Sequence, residues 1–193
     1  MKKTKVIALD IGEVCIKLCP ERCFAALGLS SSEQVPVEFL AATDMLEKGH
    51  IPELDWMTIF QEVTGGNFSN DELRAAWNLL IGEEIDGIAE IVRGLVERGY
   101  RLVFFSDTSQ SHILEVYRKL SFSHIVTGAI FSYEVGAKKP DNRMYEAFEE
   151  KYGKPVFYID DRQQNIEAGL KRGWPSHCFS GVASLRTFIT GNI

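Results

Sequence analysis

Four groups of residues in this chain have the types and positions to carry chemistry at phosphorus. Asp10 closes the apolar run Val6-Ile7-Ala8-Leu9, and the pair Asp160-Asp161 closes another, Val156-Phe157-Tyr158-Ile159. Between them, Ser106-Asp107-Thr108 follows Leu102-Val103-Phe104-Phe105, and Lys138-Lys139-Pro140 comes later. A carboxylate can attack phosphorus and form an acyl phosphate. A hydroxyl and backbone N–H groups at a helix start can bind phosphoryl oxygens. A lysine can neutralise charge in the transition state. Carboxylates gathered in one place repel one another, so they need a cation, a shared proton or a cationic side chain. Oxygen-only ligands suit Mg2+.

These residues act together only if the fold brings the strand ends together. Five short apolar runs read as strands: Lys5–Leu9, Leu102–Phe105, Gly128–Phe131, Val156–Ile159 and His177–Phe179. Helical patterns alternate with the later ones. Ile88, Ile91, Val92 and Leu95 fall at i, i+3, i+4, i+7; Ile113, Val116, Tyr117 and Leu120 repeat the spacing; Met144, Tyr145, Phe148 and Tyr152 come close to it. Alternation of this kind implies crossover connections and an α/β fold: a doubly wound, Rossmann-like parallel sheet with helices on both faces. Such sheets bind ligands at the carboxyl ends of their strands, where all these acids lie.

The stretch from Pro20 to Glu84 breaks the rhythm. It offers no strand pattern and reads as helices near Glu21–Leu27, Val35–Lys48, Leu54–Val63 and Asn70–Leu80, separated by Gly28, Gly49 and Gly65-Gly66. Ser69 or Asn70 can cap the last of them. The expected organisation is a core of residues 1–15 and 85–193 with a small all-helical cap, residues 16–84, inserted after the first strand.

Bulk properties narrow the function. The chain has 193 residues, 45% hydrophobic and 25% charged, which suits one globular domain with an insertion. Its net charge is −6, and beyond Lys2-Lys3 and Lys138-Lys139 it has no basic patch, so nucleic acid is not an expected partner. No apolar run approaches the ~20 residues of a membrane span. Met1-Lys2-Lys3 could open a secretory signal, but only four apolar residues precede Asp10, so a cytoplasmic location is expected. Cys15, Cys19 and Cys23 sit four apart, yet Pro20 interrupts them; with Cys178 they read as reduced, buried small residues rather than metal ligands or disulfides. Monomer and homodimer both stay open.

The chain resembles the haloacid dehalogenase-like hydrolase superfamily, of the type with a small helical cap after the first strand. The likeness rests on "ALDIGEV", "LVFFSDTSQSH", "GAKKPDNRMYEAF" and "VFYIDDRQQNIEAGLKRG", in that order and on the expected elements. Within the superfamily it is most similar to sugar-phosphate phosphatases of the glucose-1-phosphate type. The resemblance implies a Mg2+-dependent phosphomonoester hydrolase acting on a small phosphorylated metabolite through an aspartyl-phosphate intermediate. It makes Asp10 the nucleophile. Ser106, Asp107 through its N–H, and Lys139 would bind the phosphoryl group; Lys139 is favoured over Lys138 because it directly precedes proline. Asp10, the Gly12 carbonyl, Asp160 and Asp161 would surround the metal, with Asn165 in an indirect role.

Two departures from the family pattern stand out. Gly12 occupies the place where most of these phosphatases carry an Asp that protonates the leaving oxygen, and such acid catalysis contributes ~10²–10⁴-fold. Glu13 is a poor substitute, since adjacent residues on an extended segment face opposite ways. Asp107 stands where the sugar-phosphate group shows Asn, which places a carboxyl beside a bound phosphate. Two other functions therefore compete: a metal-independent 2-haloacid dehalogenase and a catalytically weak binding protein of the same fold. Other signals are weaker. His50, His112, His124 and His177 are scattered, no glycine-rich phosphate loop is present, and Trp56, Trp77 and Trp174 read as core.

Overall fold

The computed structural model describes residues 5–29 and 35–193; the Met1-Lys2-Lys3 stretch lies outside them. In chain order the first half forms β1 (Val6–Leu9), β2 (Ile16–Leu18), α1 (Pro20–Ala26), α2 (Val37–Glu47), α3 (Glu53–Val63), α4 (Asn70–Asn78) and β3 (Ile81–Glu84). The second half forms α5 (Ile88–Glu97), β4 (Arg101–Ser106), α6 (Gln110–Lys119), β5 (Ala129–Phe131), α7 (Ser132–Val135), α8 (Asn142–Tyr152), β6 (Phe157–Asp160), α9 (Gln163–Lys171), β7 (Ser176–Cys178) and α10 (Val182–Asn192).

The five expected strands pair in the order β5-β4-β1-β6-β7, all parallel. Alternation along each strand explains the two-sided burial. Ile7, Leu9, Leu102 and Phe104 join one apolar cluster with α5 and α10, which contributes Leu185 and Ile189. Val6, Ala8, Val103 and Phe105 join another with Tyr145 and Phe148 of α8 and with Trp174. β1 lies between β4 and β6, so the chain order reverses there, and the turns after all three strands open at one edge.

A third apolar cluster belongs to the inserted helices. Phe39, Trp56, Phe60 and Trp77 pack with ring centroids 4.4–6.1 Å apart. Ser69 caps α4 in a reciprocal box with Glu72, as its position suggests.

The strand-free insert is corrected at its two ends. β2 and β3 pair antiparallel into a short ribbon that joins the helices to the sheet. Neither strand has a local signature: Ile-Lys-Leu is too short to show alternation, and Ile-Gly-Glu-Glu carries strand-depleted residues. Tertiary contacts make the ribbon. A Cβ on Gly82 would meet Cys19 Sγ at 2.7 Å and the Lys17 carbonyl at 2.8 Å, so glycine is what lets the two strands approach. The ribbon is also tied to α6: Lys119 Nζ donates to the Ile81 carbonyl, and the Ser121 N–H donates to Glu84 at 2.6 Å.

Candidate active site

The site lies where the turns after β1, β4 and β6 converge. The Asp10 N–H donates to the Ile159 carbonyl at 3.0 Å, extending the β1–β6 ladder by one step, and Asp10 Oδ1 accepts from the Ile11 N–H at 2.8 Å. These bonds fix the carboxylate at the strand end. The chain then curls, with Cys15 and Ile16 N–H groups donating back to the Ile11 carbonyl. Glu13 takes a left-handed conformation (φ 55°), and its carboxylate accepts from the Leu18 N–H at 2.8 Å. Its side chain therefore pins β2, and sequence alternation alone did not foresee that turn.

Lys139 is the hub. It is buried, and its Nζ lies 3.0 Å from Asp10 Oδ1 and 2.6 Å from Asp160 Oδ2, and donates to the Phe105 carbonyl at 2.8 Å. Its backbone N–H donates to Asp107 Oδ1 at 2.9 Å. Burial works against the ammonium charge, but Asp10, Asp160 and Asp107 together outweigh it and raise the Lys139 pKa. Lys138 does not enter this network; it faces the inserted helices and pairs with Glu47 at 2.5 Å.

Asp160 is fully buried and accepts four hydrogen bonds: Lys139 Nζ and Tyr158 Oη at 2.6 Å on one oxygen, the Arg162 N–H and Asn165 Nδ2 at 2.9 Å on the other. That uses a carboxylate's acceptor capacity. Burial would raise its pKa, yet Lys139 and these donors hold it low. Asp161, by contrast, is only half-buried and faces the cavity; burial and then Asp160 raise its pKa. One carboxylate oxygen each of Asp10, Asp160 and Asp161 lies within 4.8 Å of the others.

Asp10 itself is pushed up to about 7, first by burial and then by Asp160, against the pull of Lys139. One lysine does not balance three acids, so a further cation has an electrostatic place here. The donor set is all oxygen, and the Gly12 carbonyl receives no hydrogen bond from the described residues. Asn165 Oδ1 is buried without a partner beside the cavity. These features fit a hard divalent ion with waters.

A cavity of about 200 Å3 opens over these groups. Asp10, Gly12, Ser106, Asp107, Lys139, Asp161 and Asn165 all line it. Every residue proposed from the sequence, except buried Asp160, thus borders a single space. Burial, ahead of the opposing pull of Lys139, raises the pKa of Asp107. A Cβ on Gly12 would lie 3.1 Å from Leu18 Cδ1, a close contact with the tip of an exposed side chain. Sequence reasoning missed Tyr158, Leu18, Glu47 and Arg162. Only Tyr158 left a signal: it sits two residues before Asp160 on a strand, hence on the same side, and a buried phenol needs a partner.

Comparison with known proteins adds the family. A model described as haloacid dehalogenase-like hydrolase matches residues 4–173. The chain belongs to this family. Among solved structures, the haloacid dehalogenase (HAD) family enzyme bt-2542 from Bacteroides thetaiotaomicron superposes with a TM-score of 0.81 at 22% identity, covering 93% of this chain and 95% of that one. The same enzyme in complex with magnesium and inorganic phosphate gives 0.78 at 23% identity, covering 92% and 94%. A protein described as a predicted HAD-like family hydrolase, from Porphyromonas gingivalis, gives 0.75 at 19% identity, covering 97% and 98%. A sequence comparison with curated proteins returned no match. The Rossmann-like α/β fold is therefore shared along nearly the whole chain. Among the described residues no helix is long and apolar enough to cross a membrane.

Proposed function

We propose that this HAD-family hydrolase is a Mg2+-dependent phosphomonoesterase for a small phosphorylated metabolite. The observation that carries the reading is the Asp10 carboxylate, set at the cavity floor 3.0 Å from the Lys139 ammonium and grouped with two further acids. The bt-2542 complex with magnesium and inorganic phosphate supports it. Asp10, Asp161 and the Gly12 carbonyl would hold the ion, which would neutralise charge between nucleophile and phosphate. Asp160 would act through Lys139 rather than as a ligand, because its oxygens are already bonded.

An Asp10 oxygen attacks phosphorus, a P–O bond forms, and the bond to the leaving oxygen breaks. Lys139, the Ser106 hydroxyl and the Asp107 N–H hold the phosphoryl oxygens as charge builds on them. The departing alkoxide takes a proton. Water then cleaves the aspartyl phosphate at phosphorus, releasing inorganic phosphate and restoring Asp10. No side chain at Gly12 supplies the proton, and Glu13 is held by Leu18, so leaving groups that depart without much protonation are favoured.

The test is hydrolysis of p-nitrophenyl phosphate with Mg2+ and with EDTA. Turnover that requires Mg2+ and vanishes in Asp10→Asn is expected. Halide release from 2-chloropropionate without metal would overturn the reading in favour of a dehalogenase.

A further inference from the structure

The phosphoryl and metal sides of the cavity account for most of its lining. The remaining wall is made by Glu13, Leu18, Glu47, Lys138 and Arg162. These residues face whatever is attached to the phosphoryl group. None of these five is aromatic. The cavity of about 200 Å3 adjoins a larger one, and Glu13, Leu18 and Asp161 border both.

Glu47 is the one residue of α1–α4 on that wall, and it is firmly placed. It ends α2, and the turn after it is seated on α7 and on Gly136, which follows it. A Cβ on Gly49 would lie 2.1 Å from the Tyr133 carbonyl, so backbone meets backbone there. His50 Nε2 bonds the Gly136 carbonyl at 3.2 Å. Lys138 Nζ donates to Glu47 Oε2 at 2.5 Å and is shared with Asp44 at 3.4 Å, which also takes Lys48 at 2.5 Å. Lys138 is thus committed to two carboxylates, while Glu47 Oε1 accepts no hydrogen bond from the described residues. The wall presents a fixed, anionic acceptor.

We infer that Glu47 is a specificity-determining residue that accepts a hydrogen bond from a hydroxyl of the leaving group and disfavours leaving groups bearing a carboxylate or a second phosphate. This rests on the phosphatase reading and assigns the substrate class within it: a polyol or sugar monophosphate. A rigid acceptor costs little ordering when a hydroxyl binds it. A second anion would meet Glu47 and Glu13 on this wall; of the two cations there, Lys138 is already paired with Glu47 and Asp44, and Arg162 is exposed. Like-charge juxtaposition is how binding sites reject wrong partners.

Glycerol 3-phosphate and 3-phosphoglycerate share the same leaving oxygen and differ at the far end, CH2OH against COO−. Their kcat/KM values are compared in wild type and Glu47→Gln, which keeps the shape and an acceptor oxygen but removes the charge. Wild type should favour glycerol 3-phosphate by about tenfold or more, and the variant should narrow that ratio severalfold through a lower KM for 3-phosphoglycerate. A merely structural Glu47 would change both substrates alike, and that result, or a wild-type preference for 3-phosphoglycerate, would overturn the inference. Calorimetric Kd values for both compounds in Asp10→Asn protein, with and without Glu47→Gln, should show the same order. They decide the matter independently of turnover: absent hydrolysis would sink the phosphatase reading, whereas equal Kd ratios would sink the role of Glu47.

Discussion

Replacing Lys139 by Met would test whether the site is held by charge or by shape. Met is similar in length and fills the space, but it leaves the Asp10 and Asp160 carboxylates without the ammonium that lies 3.0 and 2.6 Å from them. The Lys139 side chain is 1% exposed and that of Asp160 0%, so water cannot take over. Removing one partner of a buried pair costs ~3–5 kcal/mol, because the remaining charge is uncompensated. The cost should depend on pH, and the sign follows from Asp160. In wild type its folded pKa is lowered, so its stabilisation is present above the unfolded pKa and fades as pH falls. Without Lys139, burial dominates and the folded pKa rises above the unfolded one, so the variant loses stability as pH rises. The Lys139 pKa is itself raised; its stabilisation is full below an unfolded value of ~10.4 and so is constant across the range tested.

The measurement is urea unfolding of wild type and Lys139→Met in EDTA, at several values between about pH 5 and about pH 8. We expect a difference of ~3–5 kcal/mol at the upper end, falling to ~1–2 kcal/mol at the lower end, where both acids can be protonated. A difference below ~1 kcal/mol throughout, or one that grows as pH falls, would refute the argument.

Asp10→Asn should leave the unfolding midpoint near wild type or above it, and reduce turnover to under about a hundredth, because an amide is no nucleophile; kcat above a few per cent of wild type would exclude attack by Asp10. Asp107, whose pKa burial raises, should be neutral toward phosphate at low pH and repel it once ionised. The kcat/KM ratio of Asp107→Asn to wild type should therefore rise as pH is raised from the acid side, and a flat ratio would count against it. Wild type should favour glucose 1-phosphate over glucose 6-phosphate, since the anomeric oxygen needs less protonation on leaving. Gly12→Asp combined with Leu18→Ala, which clears the 3.1 Å contact, should narrow that gap; equal wild-type values would defeat the reasoning.

Much of the phosphoryl side was legible because most of its residues end or follow a strand, and strand ends are marked by apolar runs. Asp10, Ser106, Asp107 and Asp161 fall at such places; Lys139, beyond α7, is marked instead by the proline after it, and all five border one cavity. Adjacent Asp160 and Asp161 were read alike, yet they part company: strand alternation turns Asp160 inward to Tyr158 and Lys139, while Asp161 faces the cavity. The β2–β3 ribbon left no trace because its strands are three and four residues long and form through pairing alone. Glu47 was hidden for a related reason. Nothing in the spacing of α2 says which core segment its end will meet; Gly49 against Tyr133 decides that.

That division follows from how the two halves of the cavity are made. The phosphoryl half is built by strands buried on both faces, where a shift of one residue would expose an apolar face, so register is strongly fixed. The leaving-group half is built by a ribbon and an inserted helix, which present Leu18 over Gly12 and Glu47 against Lys138. Those contacts can change without disturbing the sheet. A substitution at Leu18 or Glu47 alters what departs with little effect on how phosphorus is attacked. The absence of an acid at Gly12 belongs to the same half, since a side chain there would press on the tip of Leu18. Restoring proton donation at Gly12 therefore shifts Leu18 of the ribbon, which couples leaving-group chemistry to the geometry of the insert.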